Sequence, residues 1–254
     1  MLEIEWKHMV VKIAEVLLSV LIAFIVIGIH ELAHIVAGVI QGFRFELFVL
    51  GPLGVKRDGN SVKVYLNTNI AFYGGIASTM PRDTNPKNAT KLARVLIAGP
   101  IASLVLAALL GVLYFISDQY LSRYLLIGAL TSLGIFMATT IPSKTGMFFT
   151  DRKRFQRLYK DGPAKEAEQA LLRILGSYGK DSSYVNVEQK DIEKLIADTD
   201  YRYFGLFTKL TYQFEKTGQF DTGTEEEFNA MSQSMPKSTV KAMNMQLDKW
   251  KAAS

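Results

Sequence analysis

Val16-Leu17-Leu18-Ser19-Val20-Leu21-Ile22-Ala23-Phe24-Ile25-Val26-Ile27-Gly28-Ile29-His30-Glu31-Leu32-Ala33-His34-Ile35-Val36-Ala37-Gly38-Val39-Ile40 is the stretch on which the rest of the chain depends. It exceeds the roughly 20 apolar residues a helix needs to cross a hydrocarbon core about 30 Å thick. His30, Glu31 and His34 interrupt it. A charged side chain at mid-bilayer costs roughly 2.5–3.5 kcal/mol on insertion scales, so ionisable groups there mark function. H-E-x-x-H on a helix sets two imidazoles one turn apart on one face, with a carboxylate beside them. A solvated helix face would accommodate the same residues without metal, but no polar face surrounds this trio. Two neutral imidazoles suit Zn2+, and the adjacent Glu31 suits a general base acting on zinc-activated water.

Composition sets the frame around this motif. The chain has 254 residues, 49% hydrophobic and 21% charged, with long apolar runs before about residue 142 and most charge after it. That distribution fits a small membrane protein with an appended domain. The net charge of +5 is better explained by cytoplasmic loops than by nucleic-acid binding, so no nucleic acid is expected as a partner. The chain has no cysteine, which excludes disulfides and thiolate metal sites. His8, ahead of the deep part of the helix, reads as an interfacial residue. The first apolar run continues through the metal motif and does not end at a small-residue cleavage site, so it is not expected to be removed as a signal peptide.

Three spans are expected, at about residues 10–42, 92–117 and 124–141, with Pro142 ending the third. Gly99, Ser103, Ala107 and Gly111 form a four-residue stripe on the second span, read as close helix packing without chemistry. Phe43, Phe45, Leu47 and Val49 alternate with Arg44, Glu46, Phe48 and Leu50; later Val62, Val64 and Leu66 alternate with Ser61, Lys63 and Tyr65. Asp58-Gly59 between them is a hairpin signal, so a membrane-associated β-hairpin is expected over about 43–73, before a Gly74-Gly75 break. This hairpin is either a bland surface element or a substrate-binding edge. Lys and Arg crowd the first loop and the segment after the third span, whereas Arg123 stands alone in the second loop. The positive-inside rule then puts the N-terminus outside and the C-terminus in the cytoplasm; the expected setting is the cell membrane of a bacterium. Residues 1–160 form the expected transmembrane core. Residues 161–254 form a helical cytoplasmic domain able to take a protein partner. Its helix start is Asp161-Gly162-Pro163, and further helices are expected at about 187–197, 203–216, 225–232 and 237–251.

A catalytic zinc takes three protein ligands and leaves one position open. With the histidines used and no cysteine, the third ligand is an Asp or Glu. Asp151, which follows the third span, competes with Glu46, Asp58 and Asp83 on the first loop, and equally with a purely solvated role beside Arg152-Lys153-Arg154. Met147-Phe148-Phe149 offers an apolar means of folding the Asp151 segment back against the motif.

The motif set resembles the site-2 protease family of intramembrane zinc metalloproteases. It comprises HELAH within a span, Gly42-Phe43-Arg44-Phe45, Gly51-Pro52, Gly99-Pro100 in the next span, and Pro142 with Asp151. The likeness covers about residues 10–155 and leaves the C-terminal region outside. It implies a mainly α, polytopic membrane protein with a three-helix transmembrane metalloprotease core. His30, His34 and Asp151 would be the zinc ligands and Glu31 the catalytic base. Three positions depart from the family pattern. Thr139 stands where Asn usually precedes the proline by three residues, Arg152 stands where Gly usually follows the Asp, and Ser103 stands where Asn is frequent. No ligand or base is lost by these changes.

The expected activity is hydrolysis of peptide bonds in membrane-inserted substrates, as in regulated intramembrane proteolysis. The substrate classes are small peptides, signal-peptide remnants or a membrane-tethered regulator. Thr139 and Thr140 are candidate substrate-binding donors. No extracytoplasmic domain for sensing trimmed substrates is recognisable. The alternative is a non-catalytic membrane scaffold or immunity protein built on a protease-like core.

Overall fold

A computed structural model describes residues 2–145 and 148–251. The chain opens with α1 (Leu2–Ile40), and two further long apolar helices follow, α2 (Asn88–Ile116) and α3 (Gln119–Thr140). The stretches Glu5–Ile40, Asn88–Ile116 and Gln119–Thr140 are each long and apolar enough to cross a membrane. Val16, Leu17, Leu21, Ile25 and Val36 on α1, Ile101, Val105, Leu109 and Val112 on α2, and Leu130, Leu133 and Met137 on α3 are exposed. Such continuous apolar surface is untenable in water and natural in hydrocarbon. Pro142 follows the third helix by one residue beyond Ile141, as its restriction on the preceding backbone requires. The third helix begins about five residues earlier than the hydropathy run. Asp118 caps it, its carboxylate accepting from the Tyr120 and Leu121 N–H groups, and these bonds hold the carboxyl below the usual carboxylate range.

Between the first two helices lies a four-stranded sheet in the order β3-β2-β1-β4, made of β1 (Arg44–Leu50), β2 (Leu53–Asp58), β3 (Ser61–Leu66) and β4 (Ile76–Met80), with β1–β2 and β2–β3 antiparallel. This corrects the expected single hairpin. The turn at Asp58-Gly59 is real, with Asp58 paired to Ser61, but it joins β2 to β3, while β1 reaches β2 through Gly51-Pro52. The second strand escapes pattern reading because Gly54 and the run Lys56-Arg57-Asp58 break any apolar alternation. Gly54 pairs with Tyr65, whose ring occupies the place of a Cβ, 2.3 Å from where one would stand. The aromatic thus supplies the packing that the glycine lacks. A 3-10 turn, Ile70–Phe72, precedes β4.

The chain divides into two compact units. The first comprises Met1–Ala37, Phe45–Ser78 and Val95–Ile141. The second comprises Gly38–Arg44, Thr79–Arg94 and Pro142–Ser254. In the second unit, a short hairpin of β5 (Lys144–Thr145) and β6 (Phe148–Phe149) leads into α4 (Asp151–Tyr159). Five helices follow: α5 (Pro163–Asp181), α6 (Gln189–Ala197), α7 (Arg202–Thr217), α8 (Thr222–Ser232) and α9 (Lys237–Lys251). These five match the expected helices to within a few residues. Pro163 opens α5 at its first turn, and Ala167, Ala170, Leu171 and Ile174 recur at helical spacing to meet Leu195, Tyr203, Leu206, Leu210 and Phe228 in one core. Helix α5 also passes very close to the Thr79–Arg94 segment. A Cβ at Gly176 would stand 1.9 Å from the Asp83 carbonyl oxygen.

Candidate metal centre

In the first unit, α1 carries both imidazoles on one face, a turn apart. His30 is buried and His34 partly so, and their Nε2 atoms face each other at 3.3 Å. Helix α2 fixes the far side of each ring. His34 Nδ1 lies 2.7 Å from the Val95 carbonyl oxygen, which can only accept, so Nδ1 carries the proton and Nε2 is left with its lone pair. His30 Nδ1 lies 2.9 Å from Ser103 Oγ, and Ser132 on α3 donates its hydroxyl to the Ser103 carbonyl at 2.8 Å. Each imidazole therefore has a polar partner on α2, as the histidine ligands of metal sites characteristically do.

These donors fit zinc. A tetrahedral ion with Zn–N bonds near 2.0–2.1 Å holds two nitrogens about 3.3 Å apart, which is the spacing found between the Nε2 atoms. Gly99 makes room beside them. A Cβ there would stand 2.2 Å from His34 Nε2 and 2.8 Å from His30 Cε1. The reading of Gly99 and Ser103 as packing alone is thereby corrected, because both sit against the imidazoles. Glu31, between the two histidines in sequence, lies beside Gly75 in the loop entering β4. A Cβ at Gly75, whose φ is +92°, would meet Glu31 Cγ at 2.9 Å and Oε1 at 3.0 Å. Gly75 is thus needed both for its backbone conformation and for space next to the carboxylate.

Asp151 belongs to the second unit, where it is the first residue of α4. Thr150 caps that helix by accepting from the Lys153 N–H, and the Thr150 N–H donates to Ser143 O at 3.1 Å, closing the base of the β5–β6 hairpin. Within the apolar segment expected to fold Asp151 back, Met147 lies outside the described residues, while Phe148 and Phe149 form β6. Among the competing carboxylates, Asp83 accepts from the Asn85 N–H and from Asn88 Nδ2, contacts that hold its carboxyl below the ordinary range. Asp58 pairs with Lys63 at 2.5 Å, and Glu46 lies in β1. Thr139 donates its hydroxyl to the Ile135 carbonyl at 3.0 Å and Thr140 to that of Phe136 at 2.6 Å, both within their own helix.

The sequence does not mark Ser132, the Val95 carbonyl or Gly75 as site groups, and it marks Ser103 only as the position where the family pattern often has Asn. Ser103 and Ser132 carry the available signal, as hydroxyls in apolar spans that need partners in lipid.

Comparison with curated proteins and with solved structures gave no match. A model of Peptidase family M50 matches residues 18–248, so the likeness does not stop near residue 155 but runs through the C-terminal helices. With nearly the whole chain matched, and with two zinc-spaced imidazoles inside an apolar helix, the chain belongs to peptidase family M50, the site-2 protease family.

Proposed function

We propose that this protein is an intramembrane metalloendopeptidase that hydrolyses peptide bonds of membrane-inserted substrates. The observation that carries the reading is the facing pair of Nε2 atoms with Glu31 alongside, in a helix long and apolar enough to span a bilayer. Family M50 members are zinc metalloproteases. His30 and His34 would hold the ion, and Asp151 supplies the third ligand. Support for Asp151 is the suitability of a carboxylate as the third ligand to a zinc ion held by two imidazoles, its position after the third span, and a family match that runs through it. Zinc, when bound, acidifies a water molecule and polarises a carbonyl oxygen.

The remaining chemistry belongs to the chain. Glu31 accepts the proton of the attacking water and later hands it to the departing amine. The Val95 carbonyl keeps His34 in the tautomer that ligation needs, and Ser103 holds the His30 ring in orientation. A transmembrane substrate hides its peptide bonds in its own helix, so it unwinds before cleavage, and the sheet between the first two spans offers strand edges to the extended segment. Thr139 and Thr140 serve as donors to that segment once they release their own helix carbonyls. Residues 1–160 form the catalytic core, facing its substrate within the bilayer of a bacterial cell. Residues 161–254 lie in the cytoplasm, where a protein partner can engage them. Substrates are small membrane peptides, signal-peptide remnants or a membrane-tethered regulator.

The test compares membrane peptides quantitatively in cells carrying wild type or Glu31→Gln, together with the zinc content of both purified proteins. Loss of cleavage with zinc retained is the expected result. A phenotype that persists unchanged in Glu31→Gln would favour a scaffold or immunity protein instead.

A further inference from the structure

The hairpin and helix that carry Asp151 are tied to the helices after them by a network of ion pairs. On α4, Arg154 and Arg157 lie one turn apart, and both donate to Glu168 on α5, at 3.3 and 3.0 Å. Glu168 is completely buried and also accepts from the Tyr201 hydroxyl. The Arg157 fork continues to Asp198 at 2.9 Å and Asp200 at 2.8 Å, in the turn between α6 and α7. Asp200 takes a second cation, Lys144 of β5, at 2.6 Å. The Arg157 guanidinium lies 5.0 Å from the Phe149 ring centroid and 4.9 Å from that of Tyr201. Every partner on the far side comes from α5 or the α6–α7 turn, and every partner on the near side flanks Asp151 within seven residues.

Such a cluster is an unusual way to gain stability. Desolvating several charges consumes most of what their attraction returns, and apolar residues would join the same elements at lower cost. What the ions add is direction, because a guanidinium fork on carboxylates fixes both distance and orientation. Arg154 is one turn beyond Asp151, so rotation or sliding of this nine-residue helix moves the Asp151 carboxylate directly.

We propose that the C-terminal helices act as a positioning device for the metal centre: Glu168, Asp198 and Asp200, through Arg154, Arg157 and Lys144, set the place of Asp151. This rests on reading Asp151 as a zinc ligand. It gives the region after residue 160 a part in the chemistry, in keeping with a family match that runs to residue 248.

The experiment uses the full chain purified in detergent. Zinc affinity is measured by competition with a chromophoric chelator, the visible spectrum is recorded after cobalt substitution, and thermal stability is followed in parallel. Asp200→Asn, Lys144→Met and Arg157→Lys are expected to weaken zinc about tenfold and to alter the cobalt bands in protein that remains folded. Lys251→Gln, which breaks a remote pair with Glu225 (2.7 Å) between α9 and α8, should change neither. Asp151→Asn should weaken zinc further than any of these. If Asp151→Asn loses metal while Asp200→Asn and Lys144→Met keep wild-type affinity and spectrum, the positioning role is overturned. If Asp151→Asn itself keeps full affinity, the ligand assignment falls, and the positioning role with it. Arg157→Lys carries the greatest folding risk, and the two variants at the half-buried Asp200–Lys144 pair decide the matter without it.

Discussion

At the scale of single residues, the centre depends on what α2 presents to the imidazoles. One contact is a backbone carbonyl, Val95 O, which no substitution removes. The other is the Ser103 hydroxyl, which Ser103→Ala deletes. That variant should bind zinc about 10–100-fold more weakly, as expected for loss of a ligand's outer hydrogen bond. Gly99→Ala should fail to retain zinc at all, since its methyl would stand 2.2 Å from His34 Nε2. Zinc content after dialysis against a chelator measures both, and wild-type retention by Gly99→Ala would show that the imidazoles do not meet at that helix. His30, Glu31 and His34 could be recognised in the sequence because ionisable residues are conspicuous among Leu, Ile and Val. Ser103 and Gly99 stand out only as positions of the family pattern, and their contact with the imidazoles is not legible, since small residues in a span have an ordinary packing explanation and their neighbours lie some 70 residues away in the chain.

At the scale of elements, the long helices and the C-terminal helices were readable because their periodicity runs for ten residues or more. The sheet was only half readable. Its β2 strand owes its packing to a cross-strand ring over Gly54, a relation absent from local pattern. Helix α4 was missed because its first four residues, Asp-Arg-Lys-Arg, look like a solvated charge run, although Arg154 and Arg157 turn inward to Glu168. The approach of α5 to Asp83 is equally silent in sequence. A methyl in Gly176→Ala would collide with backbone, which has less freedom to yield than a side chain, so the variant should lose about 1–3 kcal/mol. The measurement is a melting temperature several degrees below wild type.

At the scale of the whole molecule, topology is the property most open to direct test. The absence of cysteine makes single-cysteine labelling clean. Gln119→Cys, at the start of the third helix, should react with a membrane-impermeant maleimide in intact cells. Ser61→Cys, in the loop between the first two, should react only after permeabilisation. The reverse pattern would invert the orientation. The hydrogen bonds that join each histidine to α2 also bear on how the protein should be disabled. Replacing His34 by alanine deletes an interhelical bond worth about 0.6–2 kcal/mol in lipid along with any metal ligand. An inert histidine variant would therefore report lost assembly as readily as lost catalysis, whereas Glu31→Gln leaves those two helix-to-helix ties intact and is the sounder dead enzyme for trapping substrates.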